Sequence, residues 1–191
     1  MKKVILIISI ATAVCVWSAG HAQKIHIGAK AGLNMSTIQP DLTDPATRTS
    51  FHLGGVIEIP ITNDFSIQPE LLYSSQGVKD KSDDDEVIRL NYLSLPVLAK
   101  YYVWEALSIE AGPQFGILLS AKREDDGETV DLKDRSKATD IGFSLGLGYK
   151  LESGLNFGAR YYFGSDINDI DEDPSKIKNR VFQISVGYFF Y

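Results

Sequence analysis

The chain has 191 residues, with 19 basic against 25 acidic side chains; 44% of residues are hydrophobic and 23% charged. That length suits one domain, and that balance excludes wholesale disorder. A net charge of −6 argues against nucleic acid as a partner, because phosphate binding needs clustered Lys and Arg.

Residues 1–22 are predicted to be a cleaved signal peptide. Met1-Lys2-Lys3 is a positive start, Val4 to Trp17 is an almost unbroken apolar run, and Ser18 to Ala22 supplies the small residues a signal peptidase reads. The run is shorter than the ~20 residues of a retained membrane helix. Cys15, the single cysteine, lies inside it, with Val14 and Thr12 at positions where a lipoprotein signal has a small residue and a Leu-like one. The mature chain, residues 23–191, is therefore expected to lack disulfides, thiol catalysis and thiolate metal sites.

From there the dominant period is two, the signature of strands with one apolar and one polar face. Ile25, Ile27, Ala29, Ala31, Leu33 and Met35 alternate with His26, Gly28, Lys30, Gly32 and Asn34. Phe51 to Ile59 and Phe65 to Tyr73 repeat the pattern, and Leu93 to Tyr101 repeats it less cleanly. Leu107 to Leu119, Ile141 to Tyr149, Leu155 to Phe163 and Phe182 to Phe190 bring the total to eight strands. Pro60 to Asp64, Trp104 to Ala106 and Glu152 to Gly154 read as tight turns. Ser36 to Ser50, Gly77 to Val87, Lys122 to Thr139 and Gly164 to Asn179 read as long polar loops, and they hold 18 of the 25 acidic residues. Short turns at one end and long loops at the other predict an all-β fold, an eight-stranded antiparallel up-and-down transmembrane barrel.

Alternation alone also fits a soluble lipocalin-like binder with its apolar face inward. Two features favour lipid. The apolar set is too bulky for the interior of an eight-stranded barrel, which is just wide enough for side chains to fill. The opposite face is rich in Gly and Ser, such as Gly142, Ser144, Gly146 and Gly148, and Gly weakens a strand unless space is tight. Aromatic residues form two expected membrane-interface belts. Phe65, Tyr101, Tyr102, Trp104, Tyr149, Tyr188 and Phe190 fall near the short turns, and Phe51, Tyr73, Phe143, Phe163 and Phe182 near the long loops.

Several segments carry a family likeness: Gly28 to Asn34, Gln68-Pro69-Glu70-Leu71-Leu72-Tyr73 before Gly77, Tyr92 to Pro96 with Lys100-Tyr101, and the aromatic end Gly187 to Tyr191. Over essentially the whole mature chain they resemble the outer-membrane β-barrel family that includes PorT. The resemblance implies a barrel of the bacterial outer membrane, with protein secretion the task of some relatives and no catalytic residue to carry over.

Seven charged residues are expected to point inward: Lys30, Glu58, Glu70, Lys100, Glu110, Lys150 and Arg160. Counting along the strands places Lys30, Glu70 and Arg160 near mid-height and Glu58, Lys100 and Glu110 nearer the short turns. Salt-bridged clusters that plug the lumen are predicted, because buried charges are rarely left unpaired. The acidic run Asp166 to Asp173 fails the calcium-loop template, in which Ile170 or Pro174 would occupy required positions, and Asp83 to Glu86 is a similar run on another loop; both read as solvated or loosely bridged by calcium. His26 and His52 are the histidines of the mature chain, and His52 and Glu58 lie about 20 Å apart along one strand. No catalytic residue, cofactor or metal site is predicted. The expected protein is a non-enzymatic monomer in outer-membrane lipid, whose loops or periplasmic rim contact an envelope or secretion partner. A small-solute channel and the lipocalin-like binder are the alternatives.

Overall fold

The computed structural model describes residues 24–39, 46–79, 87–125, 128–133, 137–166 and 178–190. Nine strands form one sheet: β1 His26–Gln39, β2 Ala46–Pro60, β3 Phe65–Lys79, β4 Val87–Trp104, β5 Leu107–Asp125, β6 Glu128–Asp131, β7 Thr139–Lys150, β8 Leu155–Asp166 and β9 Lys178–Phe190. Every pairing is antiparallel, β4 pairs with β5, and β9 returns to β1. The ring therefore runs β1-β2-β3-β4-β5-β7-β8-β9, an eight-stranded meander with no open edge. Closure satisfies every ladder within the sheet, the condition for crossing hydrocarbon with strands.

The three predicted tight turns join β2 to β3, β4 to β5 and β7 to β8. In the first, the Thr62 hydroxyl accepts from the Asp64 and Phe65 amides at 3.3 and 3.1 Å. In the third, Gly154 takes φ of 93°, a left-handed geometry that glycine adopts without penalty.

One predicted loop is partly strand. Within Lys122 to Thr139, β5 runs on to Asp125, and β6 folds back on it with Lys122 opposite Asp131. β4 and β5, at 18 and 19 residues, far exceed the ~9–11 residues needed to span a bilayer. Their outward positions change from Leu93, Ile117 and Leu119 to Asn91, Arg89 and Lys122, so this hairpin projects about 17 Å past the apolar wall at strand rise. A register shift between Asn91 and Tyr92 leaves Leu119 of β5 as the extra residue, while β4 itself alternates regularly from Arg89 to Tyr101.

The two faces divide as the pattern predicts. Leu33, Leu53, Leu71, Ile109, Ile117, Leu145, Phe157 and Ile184 lie exposed on the outer wall. Lys30, Asn34, His52, Gln68, Glu70, Glu110, Ser144 and Arg160 are buried in the lumen. Leu145 is 48% exposed, whereas Ser144 beside it is fully covered. An exposed apolar surface of this extent needs a nonaqueous medium to cover it.

Of the outward aromatics, Phe51, Tyr101, Trp104, Tyr149, Phe163, Phe182, Tyr188 and Phe190 are exposed, and Phe65 and Tyr73 half-buried. Tyr102 departs from expectation: it faces the lumen and donates its hydroxyl to Glu58. Alternation from the inward Lys100 places Tyr102 on the lumen side, and the irregularity between Tyr102 and Trp104 falls only after it.

Candidate functional site: a layered lumen

The lumen fills in layers. At the short-turn end, Lys150 Nζ on β7 donates to Glu58 Oε2 on β2 at 2.9 Å, and His26 Nδ1 lies 4.0 Å from the same oxygen. Lys100 and Lys150 flank the Tyr102 ring, 5.4 and 5.2 Å from its centroid. Phe189 lies 6.0 and 5.6 Å from the same two ammonium groups. Their stems and rings give this layer an apolar backing around ionic heads.

Above it sits a five-charge cluster. Glu70 on β3 accepts a forked pair of bonds from Arg160 on β8, Nη1 to Oε2 and Nη2 to Oε1, both 2.9 Å. Its Oε1 also accepts from Lys30 Nζ at 2.8 Å and Gln68 Nε2 at 2.7 Å. Arg160 Nη2 continues to Glu110 Oε2 at 3.1 Å, and Lys100 Nζ approaches Glu110 Oε1 at 3.3 Å and donates to Gln68 Oε1 at 3.0 Å. Forked Arg–carboxylate geometry with further donors on the shared oxygen helps offset the cost of desolvating an ion pair. Gly148 leaves the room: a Cβ there would collide with the Glu110 carboxylate and the Ser108 hydroxyl.

The third layer is built mostly of amides and hydroxyls and includes the Asp140 carboxylate. Asn34 Nδ2 donates to Ser74 Oγ at 3.0 Å and to the Ser75 carbonyl at 2.6 Å, while its Oδ1 accepts from Gln183 at 2.9 Å. His52 Nδ1 lies 2.8 Å from the same oxygen. Asn179 Nδ2 bridges Gln76 at 2.6 Å and Asp140 at 3.1 Å. Beyond it, Leu90, Tyr92, Leu118 and Ala121 form a buried apolar cluster against which Val78, Ile88 and Leu132 pack.

All seven inward-counted charges thus lie in the two ionic layers. Lys100 and Glu110, counted toward the short turns, join the mid-height cluster, because strand tilt lets Arg160 reach across. Asn34, Gln68, Asp140, Asn179 and Gln183 complete the network together with Tyr102 from the predicted aromatic belt, and these five are not site candidates in the sequence. Their alternation was visible, but amide and hydroxyl partners depend on strands far apart in the chain. The acidic runs Asp83 to Glu86 and Asp166 to Asp173 lie outside the described residues, apart from the Asp166 backbone. Among the described residues no group of His, Cys, Asp and Glu could hold a metal ion.

The position round the ring gives these bonds their meaning. With eight strands, β8 stands four places from β3, and β7 four places from β2. Arg160–Glu70 and Lys150–Glu58 therefore each span a full diameter.

A closed meander with an apolar exterior and a polar, packed interior defines an integral barrel of the outer-membrane type. The family described as Outer membrane protein beta-barrel domain matches residues 21–172, and the chain belongs to it. Among solved structures it is similar to neisserial surface protein A, at 12% identity and TM-score 0.60, over 88% of this chain and 100% of that one. It is also similar to Ail, the attachment invasion locus protein of Yersinia pestis, at 17% identity and TM-score 0.55, over 88% and 100%. Ail in complex with the heparin analogue sucrose octasulfate matches at 18% identity and TM-score 0.53 over the same shares. At these identities the likeness is one of fold. No curated protein sequence matches the chain. The protein is an integral outer-membrane β-barrel.

Proposed function

We propose that this barrel is a plugged, non-enzymatic envelope component, acting through its outer loops or periplasmic rim rather than through its lumen. The supporting observation is the pair of diameter-spanning ion pairs, Arg160–Glu70 and Lys150–Glu58, which fill the cross-section at two heights. Both carboxylates are fully buried and shared with further donors, and Arg160 is buried with Glu70, so opening a water path would strand several buried charges at once. Aromatics at the two ends of the outer wall act in this reading as interfacial anchors.

The wild-type protein in planar bilayers is expected to give no stable single-channel current. Steady, resolvable conductance steps would replace the plugged reading with a small-solute conduit. For the partner, the motifs Gly28 to Asn34 and Gln68 to Tyr73, which resemble those of the PorT-containing family, make protein secretion the process to test first. Crosslinking in intact envelopes is expected to trap one recurring envelope protein. Recovery of the barrel alone, under conditions that crosslink other envelope complexes, would count against a contact role.

A further inference from the structure

The chemistry of the outer wall changes abruptly at the long-loop end. Along β9 the outward residues run Phe190, Tyr188, Val186, Ile184, Phe182 and then Arg180. The apolar part of that run matches the ~9–11 residues a strand needs to cross a bilayer, so Arg180 is the first outward side chain beyond hydrocarbon. With the short turns on the periplasmic side, this boundary meets the exterior leaflet.

Arg180 is half-buried because it lies along its neighbours rather than out in solvent. Its Cζ sits 5.4 Å from the centroid of the Phe163 ring, and Nη1 donates to the Gly164 carbonyl at 3.3 Å. The Phe163 ring is itself exposed and packs on Tyr161, with centroids 4.6 Å apart. Phe182, opposite Tyr161 in register, extends this aromatic patch. Other guanidiniums of this end are committed within the chain: Arg89 pairs with Glu124 at 2.7 Å, and Arg48 donates to the Gln76 carbonyl at 2.7 Å. Among the described residues Arg180 makes no ion pair, so most of its N–H donors are left for a group outside the chain. Directly opposite it on β1 stands Thr37, whose hydroxyl shares one hydrogen bond of 3.2 Å with Thr47 on β2. Whichever of the two donates, the other keeps its hydrogen for a further acceptor.

A guanidinium meets a phosphate through parallel hydrogen bonds, and a ring beneath it fixes its plane without neutralising its charge. A lipid so held would lay its chains down the wall, on the exposed Phe163, Phe182 and Met35. We infer that Arg180, backed by Phe163 and flanked by the Thr37 and Thr47 hydroxyls, is a docking seat for the phosphate of an exterior-leaflet lipid. The seat lies on the outer wall, so it stands or falls separately from the plugged lumen and from any protein partner.

The test refolds the full chain in uncharged maltoside micelles with EDTA present, so that no divalent ion bridges phosphate to carboxylates. Lipid A, a glucosamine lipid with phosphate on its sugars, is titrated in one arm and its dephosphorylated form in the other. Native mass spectrometry counts the lipids retained. Saturable retention of a lipid A is expected, about tenfold tighter than that of the dephosphorylated form. Arg180→Gln should weaken it about tenfold, as loss of charge-assisted hydrogen bonds does. Arg180→Lys keeps the charge but not the fork and should weaken it about threefold. Phe163→Leu, which keeps an apolar wall without a ring face, should act by about the same factor. Lys24→Gln, at the opposite end of the barrel, should leave retention unchanged. If Arg180→Gln fails to fold, Arg180→Lys decides. Equal retention of the two lipids would mean that chains alone hold them, and would overturn the inference. So would wild-type affinity in the Arg180 variants that fold, an equal loss in Lys24→Gln, or no saturable retention of lipid A.

Discussion

Glu70 is the residue on which most of the lumen converges, since one carboxylate receives Arg160, Lys30 and Gln68. Removing it leaves two buried cations with less than their complement of acceptors. Glu70→Ala is therefore expected to destabilise the barrel by about 3–5 kcal/mol, read as a shift in urea unfolding in lipid vesicles; a loss near zero would mean water already reaches this layer. Gly77 is a second sensitive position. Its φ is 140° inside β3, a Cβ would strike the Ile88 carbonyl, and Ser36 Oγ both accepts from its amide at 3.0 Å and donates to its carbonyl at 2.8 Å. Gly77→Ala should cost about 1–3 kcal/mol in the same assay. Sequence alone could place Glu70 on the inward face, because the period of two fixes the face. It could not reveal that Arg160, 90 positions away, would be the partner, since that depends on tilt and register around the whole ring.

At the scale of the element, β7 shows the logic most plainly. Its outward residues Ile141, Phe143, Leu145, Leu147 and Tyr149 are all exposed, while Ser144 and Gly148 are buried and Gly142 and Gly146 are half-buried. Leu145→Arg is expected to cost about 2–4 kcal/mol if it sits near the bilayer midplane, measured by folding equilibria in vesicles. Ser144→Thr keeps the hydroxyl that donates to Gln114 at 2.9 Å and should cost less. Equal losses in the two variants would contradict the assigned faces. Such strands were legible because each repeats its pattern over many residues, which propensity and alternation read directly. β6 was not legible. Four residues, Glu128 to Asp131, carry too short a pattern to stand out from an acidic loop, and only pairing to the overrun of β5 makes them a strand. The inward face of Tyr102 follows from the same alternation that turns Lys100 inward, and grouping it with the aromatics near the short turns passed over that.

For the whole molecule, closure of β9 onto β1, from Ile27 opposite Phe190 to Gln39 opposite Lys178, is the joint that turns a sheet into a spanning object. A chain lacking residues 180–191 would expose the edges of both β1 and β8. It is expected to lose the folded band that resists SDS before heating, and retention of that band would mean the ring can close without its final strand.

The two diameter-spanning ion pairs bear on mechanics as well as on permeability. Like spokes set at different heights and one strand apart in azimuth, they tie opposite staves together and oppose ovalisation of the cylinder. Lateral pressure from the surrounding lipid is then met by stiff internal struts rather than by the hydrogen-bonded hoop alone. Squeezing of the bilayer should reach the protruding β4–β5 hairpin as rigid tilting, with little change in its shape.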